Sequence, residues 1–408
     1  MSRKNFTWIA IIVLIILGLA AWWFLSHENS TAPATQPVQT NQNLFPYGQN
    51  ATSSQNNSST TNQSTVFINT PSTNLPTLIH ITTTPVSGDI FLPESATSST
   101  TTLRYIDRAT GHIYDYSFSA GTSTEITNTT VPVVYQGFFS PTGSRVYLET
   151  LDTNSQINTV SAPIPSATTS VPVGLGTFSI LPKNIIALTT NSSSLFYLVP
   201  TLNGSAGYIS ALDGTKPSLI FNSGLSELTA NWSNAGIGLQ TKASASADGY
   251  FFNLNPKTGV FIPIIDSTLG LTTLENPSGT FIFGSATANG SLSSFIYNEK
   301  QNSSQKITLN TLADKCIWST TNTNAIYCAI PTSISGTLPD DWYQGNIFLA
   351  GDNIWKISAD TGITNVVDFL SATNPNIDAE NLTLDKNEKW LAFMDKEDLT
   401  LWALRVNQ

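Results

Sequence analysis

A short turn motif recurs along the chain at a nearly constant interval, and this spacing constrains the fold more than any other feature. Its clearest copy, residues 140–147, reads Ser-Pro-Thr-Gly-Ser-Arg-Val-Tyr: one strand ends, a tight turn follows and a second strand begins. Similar turns are centred near residues 96, 192, 234, 277, 322 and 386, so the steps are about 42 to 50 residues until the last, which is about 64. Four short strands with their turns need about 40 to 50 residues. The interval therefore predicts seven four-stranded units.

The sequence between these turns favours strands throughout. Short runs rich in β-branched and aromatic residues, such as residues 145–149, 249–254 and 280–284, are separated by clusters of Gly, Pro, Asn and Ser. No stretch after residue 65 keeps a helical period. Together with the repeat, this pattern predicts an all-β domain, a seven-bladed β-propeller over residues 65–408.

The last blade and the sixth blade depart from the regular pattern. The last turn is flanked by only three strand-like runs, and we expect residues 78–82 to complete that blade as its outer strand, which leaves no free edge. The long final step places an insertion, residues 332–345, between the second and third strands of blade six. It should project from the face that carries the inter-blade connections, beside the mouth of the channel.

Two further segments precede the propeller. Residues 8–25 carry no charge, and as a helix they span about 27 Å of a roughly 30 Å hydrocarbon core. Because Arg3 and Lys4 precede this run, we expect an N-terminal transmembrane signal anchor, with residues 1–7 in the cytoplasm and the propeller outside the cell membrane. A cleaved signal peptide is the alternative. Residues 26–64, rich in Ser, Thr, Asn and Gln, are expected to form a disordered linker.

Composition argues against several classes of function. The net charge is -10 and the chain has only 17 Lys and Arg, which disfavours nucleic-acid binding. Three His and two Cys leave little material for a metal site, and no phosphate-binding glycine loop is present, so no metal or other cofactor is expected. Ser, Thr, Asn and Gln make up more than a third of the residues, which is typical of an exported or surface protein.

Acidic side chains are the first candidates for acid–base chemistry, and a Ser-His-Asp triad assembled across blades is a less favoured alternative. Glu149, Asp266, Glu275 and Asp314 could form a carboxylate pair of the kind used in glycoside hydrolysis. They are scattered along the sequence, and solvated loop or strand-end positions are the interpretation that the sequence favours. We therefore predict no catalytic residue. Convergence of several acidic, His or Tyr side chains from different blades at one channel mouth would favour an enzyme instead.

The two cysteines flank the turn of blade six. Reflecting the hairpin about residue 322 places Cys316 opposite Cys328, close enough for a disulfide. Export would supply an oxidising compartment. Two buried thiols that behave as small apolar residues are the alternative.

The insertion holds the candidate binding residues. Asp340 and Asp341 supply acceptors, and Trp342 and Tyr343 supply flat amphipathic surface of the kind enriched in binding hot spots. The alternative is that Trp342 packs on its own blade and the acids are solvated.

The repeat also carries a resemblance. Residues 140–147 resemble the Ser-Pro-Asp-Gly repeat of TolB-type propellers, and residues 276–282 do so in part. The whole layout is similar to uncharacterised membrane-anchored envelope propellers of bacteria with reduced genomes. The resemblance implies the fold. From the sequence we expect a non-enzymatic binding or scaffold module for an envelope protein, peptide or glycan; the alternative is an extracytoplasmic hydrolase or lyase with its active site at the channel mouth.

Overall fold

The repeat predicted from the turns is present as seven antiparallel sheets of four strands. The computed structural model describes residues 77–94, 100–166 and 171–406. The all-β seven-bladed β-propeller is therefore confirmed. The predicted anchor and linker, residues 8–25 and 26–64, lie outside these ranges. Among the residues that are described, no helix has both the length and the apolar character needed to cross a bilayer.

Each of the first six blades consists of four consecutive strands, and the seventh combines the last three strands with the first strand of the chain. The strands in chain order are β1 (Leu78–His80); in blade one β2 (Val86–Phe91), β3 (Thr102–Asp107), β4 (Ile113–Ser117) and β5 (Thr122–Thr127); in blade two β6 (Gln136–Phe139), β7 (Arg145–Leu151), β8 (Ile157–Pro163) and β9 (Ser179–Ile180); in blade three β10 (Ala187–Thr190), β11 (Ser194–Thr201), β12 (Gly204–Ala211) and β13 (Ser218–Ser223); in blade four β14 (Leu228–Trp232), β15 (Ile237–Thr241), β16 (Asp248–Leu254) and β17 (Phe261–Leu269); in blade five β18 (Thr272–Glu275), β19 (Phe281–Ala288), β20 (Ser291–Asn298) and β21 (Ser303–Lys306); in blade six β22 (Cys316–Trp318), β23 (Ala325–Pro331), β24 (Asp352–Ser358) and β25 (Thr364–Asp368); in blade seven β26 (Ala379–Leu384), β27 (Trp390–Asp395) and β28 (Leu401–Arg405).

Three short helical turns complete the described structure. The insertion falls between β23 and β24, as the spacing predicted, and it contains the α-helix α1 (Asp340–Tyr343), which the sequence did not indicate. Two 3-10 helices, Ala313–Lys315 and Leu370–Ala372, precede β22 and follow β25. The first of them leads directly into the inner strand of blade six.

The core lies between the blades rather than inside one of them. All residues of β23 and β27, which are second strands, are buried, whereas the outer strand β21 is fully exposed. Buried apolar residues form a separate cluster at each of the seven blade interfaces, such as Leu198 of blade three against Leu239 of blade four. Each blade therefore depends on both neighbours for burial of its two faces, and an incomplete ring would expose an apolar face.

The N-terminal strand completes the ring. β1 pairs antiparallel with β28, and His80 lies opposite Trp402 with the two rings stacked 3.9 Å apart. The backbone N–H of Ile81 continues the contact by donating to the carbonyl of Leu401 at 2.8 Å. The predicted closure is confirmed, with β1 as the outer strand of blade seven.

The turn that revealed the repeat depends on glycine in its best copy. Gly143 adopts φ +67°, and a Cβ there would lie 2.3 Å from the side chain of Leu92 in blade one. The backbone conformation favours glycine, and a larger residue would also require the Leu92 side chain to move. The hydroxyl of Ser140 accepts the backbone N–H of Arg145 at 3.1 Å and fixes the start of the next strand.

Candidate functional site

Two cavities lie at opposite ends of the inner strands. The larger one, here the N-side cavity, has a volume of about 850 Å³ and is lined by the residues at or just before the start of inner strands in blades two to six. The smaller, here the C-side cavity, is lined by residues at the ends of the inner strands in blades three to six. Because inner strands surround the central channel of a propeller, the two cavities mark its two mouths.

A tyrosine–carboxylate pair from blade two lines the N-side cavity. Tyr135, the residue before β6, donates its hydroxyl to Oε2 of Glu149 on β7 at 2.8 Å, and Thr159 on β8 donates to Oε1 at 3.3 Å. The pair forms because β6 and β7 are antiparallel and place position 136 opposite position 149. Burial raises the pKa of Glu149, and the two donated hydrogen bonds oppose that rise in part. Burial and the neighbouring carboxylate raise the pKa of Tyr135.

A second pair of the same kind comes from blade six. Tyr343, at the end of α1, donates its hydroxyl to Oδ2 of Asp314 at 2.9 Å, and both residues line the N-side cavity. Desolvation by the surrounding protein raises the pKa of Asp314, and the hydrogen bond from Tyr343 offsets part of that rise. The Asp314 side chain is nevertheless open to the cavity, so water there limits the effect. Burial first, and then Asp314, raise the pKa of Tyr343 well above its usual value.

The remaining lining does not offset the negative charge of Glu149 and Asp314 in the N-side cavity. Glu227 and Lys242 of blade four form an ion pair at 3.2 Å with both side chains 63% exposed, so they cancel each other. Glu149 and Asp314 have no cationic counterpart among the other lining residues. Gln240 uses its amide oxygen to accept the Thr273 hydroxyl at 2.5 Å, which leaves its amide nitrogen as a donor. The cavity thus presents the exposed carboxylate of Asp314, the almost fully buried carboxylate of Glu149 (4% exposed), amides and the rings of Tyr135 and Tyr343.

Of the four carboxylates considered from the sequence, two meet at this mouth. Glu149 and Asp314 both line the N-side cavity, Glu275 lines the C-side cavity, and Asp266 is exposed on β17 and lines neither. Acidic and tyrosine side chains from blades two, four and six therefore converge at this mouth. Such convergence would favour an enzyme over a binding or scaffold module. Within the described ranges, no group of three or more His, Cys, Asp or Glu residues is placed to hold a metal ion.

The four predicted binding residues of the insertion have different surroundings. Trp342 is only 2% exposed, packs with Leu338 and Leu349, and donates its indole N–H to Asp378 of blade seven at 2.8 Å. Trp342 therefore corresponds to the packing alternative, while the neighbouring Tyr343 lines the N-side cavity. A ligand-binding role for the insertion remains a prediction. Tyr343 is the one of the four residues that lines the N-side cavity.

The two aspartates of the insertion are held by backbone groups. Asp340 accepts the N–H of Ala245 in blade four at 2.6 Å, so the insertion reaches across blade five. Asp341 accepts the N–H of Thr337 at 2.7 Å and closes its own loop. The Asp340 contact joins the insertion to another blade, and the Asp341 contact lies within the insertion. The sequence alone indicated neither of them.

A buried charge cluster holds the insertion against blades six and seven. Lys315 is fully buried and its ammonium contacts Asp352 at 2.8 Å, Asp378 and the carbonyl of Ala379 at 3.0 Å. Asp378 also accepts the indole N–H of Trp342. The cluster joins blade six, blade seven and the insertion, so it fixes the wall of the N-side cavity that carries Asp314. Its members lie far apart in sequence, and no local motif pointed to it.

The cysteines occupy the predicted register. Cys316 on β22 lies opposite Cys328 on β23, with Cα atoms 4.1 Å apart and the two sulfur atoms bonded. Cys328 is fully buried and Cys316 is 5% exposed. The bridge would hold the inner strand of blade six against its neighbour, directly after Asp314 and Lys315. Its oxidation state in the cell stays a prediction.

Comparisons with known proteins support the fold and do not identify a family. No protein-family model matches the chain, and no curated protein matches its sequence. Oligogalacturonate lyase from Vibrio parahaemolyticus is structurally similar, with a TM-score of 0.52 at 9% identity over 81% of this chain and 94% of that one.

Two other solved structures are similar. YCF48 bound to D1 peptide has a TM-score of 0.52 at 10% identity, covering 81% of this chain and 96% of that one. A 6-phosphogluconolactonase-like protein from Bacteroides uniformis has a TM-score of 0.46 at 13% identity, covering 78% and 92%. At such identities the two structures with a TM-score of 0.52 show the β-propeller fold alone. The TolB-like repeat and the resemblance to envelope propellers remain predictions from the sequence.

Proposed function

We propose that the protein is a binding module of the cell envelope whose N-side cavity takes a basic segment of a partner protein. The observation that carries this proposal is the convergence of Glu149 and Asp314 on one cavity without a cationic counterpart in its lining. Each carboxylate is held in place by a tyrosine hydroxyl, so its orientation is set before a ligand arrives. A Lys or Arg side chain that reaches either preorganised carboxylate gains charge-assisted hydrogen bonds at little ordering cost.

The rest of the cavity suits a peptide. The rings of Tyr135, Phe138 and Tyr343 provide flat apolar surface, and Gln136 and Gln240 provide amide groups for a peptide backbone. The volume of about 850 Å³ would accommodate a few residues. The net charge of -10 would attract a basic partner at long range. YCF48 was solved with the D1 peptide, which supports peptide binding as a use of this fold and no more than that.

The same charges argue against one substrate class among the structural neighbours. Oligogalacturonate is a polyanion, and a cavity with two unpaired carboxylates and one lysine already paired would repel it. The substrate of the similar lyase is therefore not part of this proposal.

The proposed location follows from the sequence. A single N-terminal anchor at residues 8–25 and a linker at residues 26–64 would hold the propeller outside the cell membrane. The linker, as a flexible coil, would reach about 30 to 40 Å. Such a tether would let the propeller meet partners in the envelope.

Selection from a random peptide library on the full-length protein tests the proposal. We expect enrichment of Lys- or Arg-containing peptides, and affinity that falls as salt rises. The double variant Glu149→Gln, Asp314→Asn should lose at least tenfold in affinity, because it removes both acceptor charges. Asp266→Asn, which removes an exposed charge away from the cavity, is the matched control. No basic enrichment, or equal affinity in the double variant, would refute the proposal.

A second candidate is an extracytoplasmic hydrolase or lyase at the same mouth, and the two tyrosine–carboxylate pairs favour it specifically. Carboxylic acids with raised pKa values can donate or accept a proton near neutral pH. Turnover of neutral oligosaccharides, abolished by Glu149→Gln or Asp314→Asn and kept by Asp266→Asn, would support this candidate. Binding of basic peptides without turnover of any oligosaccharide would support the binding module instead.

A further inference from the structure

The C-side cavity is a second, chemically different concave surface. Its volume is about 530 Å³, and its walls are the first-to-second strand turns of blades three, four and five together with the end of β22. It lies at the opposite ends of the inner strands from the N-side cavity, so a ligand there would not contact Glu149 or Asp314.

The lining of this cavity is almost free of charge. Hydroxyls and amides, from residues such as Thr190, Ser192, Asn231 and Asn234, make up about half of the lining, and most of the other lining residues are apolar. Glu275 is its single ionisable residue, and that side chain is 3% exposed, with oxygen atoms shielded from solvent. In a chain with net charge -10, a mouth that presents no accessible charge would not select ionic ligands.

Several apolar side chains line the site, and Trp232 adds an aromatic ring to them. Trp232 is half-buried at the end of β14, and it packs against the apolar cluster between blades three and four. That packing fixes the ring, and the side chain also lines the cavity. Within the described part of the chain, the indole N–H of Trp232 has no acceptor, and the amides of Asn231 and Asn234 make no side-chain hydrogen bond. A fixed ring therefore stands beside several unused donors and acceptors.

The walls are rigid before any ligand binds. Asn191 accepts the N–H groups of Ser193 and Ser194 at 2.9 and 2.7 Å, which locks the blade-three turn. Asn276 accepts the N–H groups of Thr280 and Phe281 at 2.8 and 3.1 Å, which locks the blade-five turn. Preorganised groups lose little entropy when they bind, so even weak contacts can contribute to affinity.

We infer that the C-side cavity binds an uncharged saccharide unit, which stacks on the Trp232 ring and exchanges hydrogen bonds with Asn231, Asn234 and the neighbouring hydroxyls. A pyranose ring has an apolar face that fits a flat indole and a rim of hydroxyls that fits amide and hydroxyl partners. The inference is independent of the peptide proposed for the N-side cavity, and its failure would leave that proposal intact.

Saturation-transfer NMR with four neutral trisaccharides, namely maltotriose, cellotriose, tri-N-acetylchitotriose and mannotriose, tests this site on the full-length protein. We expect saturable binding of at least one of them, and weaker binding of trigalacturonate, which is anionic. Trp232→Ala should raise Kd at least tenfold. Asn231→Ala, an exposed position whose side chain makes no hydrogen bond, should weaken binding without affecting folding.

Trp355→Phe is the matched control, because this half-buried tryptophan lies on β24 and lines neither cavity. Its Kd should stay within twofold of the wild type. The inference is overturned if none of the four trisaccharides binds, if trigalacturonate binds as tightly, or if both Trp232→Ala and Asn231→Ala bind like the wild type.

Discussion

Glu275 makes the stability of the propeller depend on pH in a way that one substitution can isolate. Its side chain is 3% exposed, and neither carboxylate oxygen has a hydrogen-bond partner of normal geometry among the described residues. Burial raises the pKa of Glu275 from 4.5 to about 7, although the nearby side chains of Ser233 and Asn253 offset part of the rise. The carboxylate of Glu299 acts in the same direction as burial.

The direction of this pH dependence follows from whether the unfolded or the folded protein releases the Glu275 proton at the lower pH. Above pH 4.5 the unfolded chain releases the proton of Glu275, while the folded protein keeps it until about pH 7. Stability contributed by this group therefore falls as pH rises from about 4.5 to about 7, and it is constant outside that window. Since one pKa unit corresponds to about 1.4 kcal/mol, the loss amounts to about 3 kcal/mol.

Glu275→Gln removes the titration and keeps the shape of the side chain. Any cost of the buried amide is the same at every pH, so the informative quantity is how the stability difference between variant and wild type changes with pH. We expect that difference to move by about 3 kcal/mol in favour of the variant between pH 4 and pH 8.

Urea unfolding of both proteins at several pH values measures this difference. Glu227→Gln, at a position 63% exposed, is the control and should show no comparable change. A stability difference between Glu275→Gln and the wild type that stays constant from pH 4 to pH 8 would refute the reasoning, because Glu275 would then titrate normally in the folded protein.

Three further predictions concern the scaffold. Because both cysteines are buried, alkylation is done in denaturant: without reductant it should add no mass at the Cys316–Cys328 pair, and two added alkyl groups would exclude the bridge. Reduction should lower the free energy of unfolding by roughly 2 to 3 kcal/mol. Deleting residues 65–84 should abolish cooperative thermal unfolding because blade seven loses β1, whereas deleting residues 26–60 should leave Tm unchanged; equal melting curves would disprove the closing role. Trp342→Phe should cost about 1 to 3 kcal/mol in urea unfolding, because buried Asp378 loses a donor, and an unchanged midpoint would contradict that role.

The architecture was accessible from the sequence because a propeller repeats one local pattern. A turn such as residues 140–147 is defined by adjacent residues, and its spacing counts the blades without any knowledge of long-range contacts. The same local pattern predicted two further features. Cys316 lies opposite Cys328, and the N-terminal strand closes the last blade.

The candidate sites were not accessible in the same way, because their members meet only through the ring. Asp314 and Tyr343 are 29 residues apart, and Lys315 contacts partners 37 and 63 residues away. Glu149 and Asp314 come from blades two and six and share a cavity only after closure. The sequence left two interpretations of Trp342 open, ligand binding or packing on its own blade, and it could not indicate that the indole N–H donates to the buried Asp378 before blade seven.

Hydrogen exchange of the full-length protein, with and without an excess of a basic peptide enriched by selection, tests the central claim most directly. A ligand in the N-side cavity should slow exchange at the starts of the inner strands, around residues 135–138, 184–188 and 226–230, and in the insertion near Tyr343. Exchange around residues 190–192 and 231–234, at the C-side cavity, should stay unchanged. Protection confined to the C-side residues, or no protection in the inner-strand starts at saturating peptide, would contradict the account.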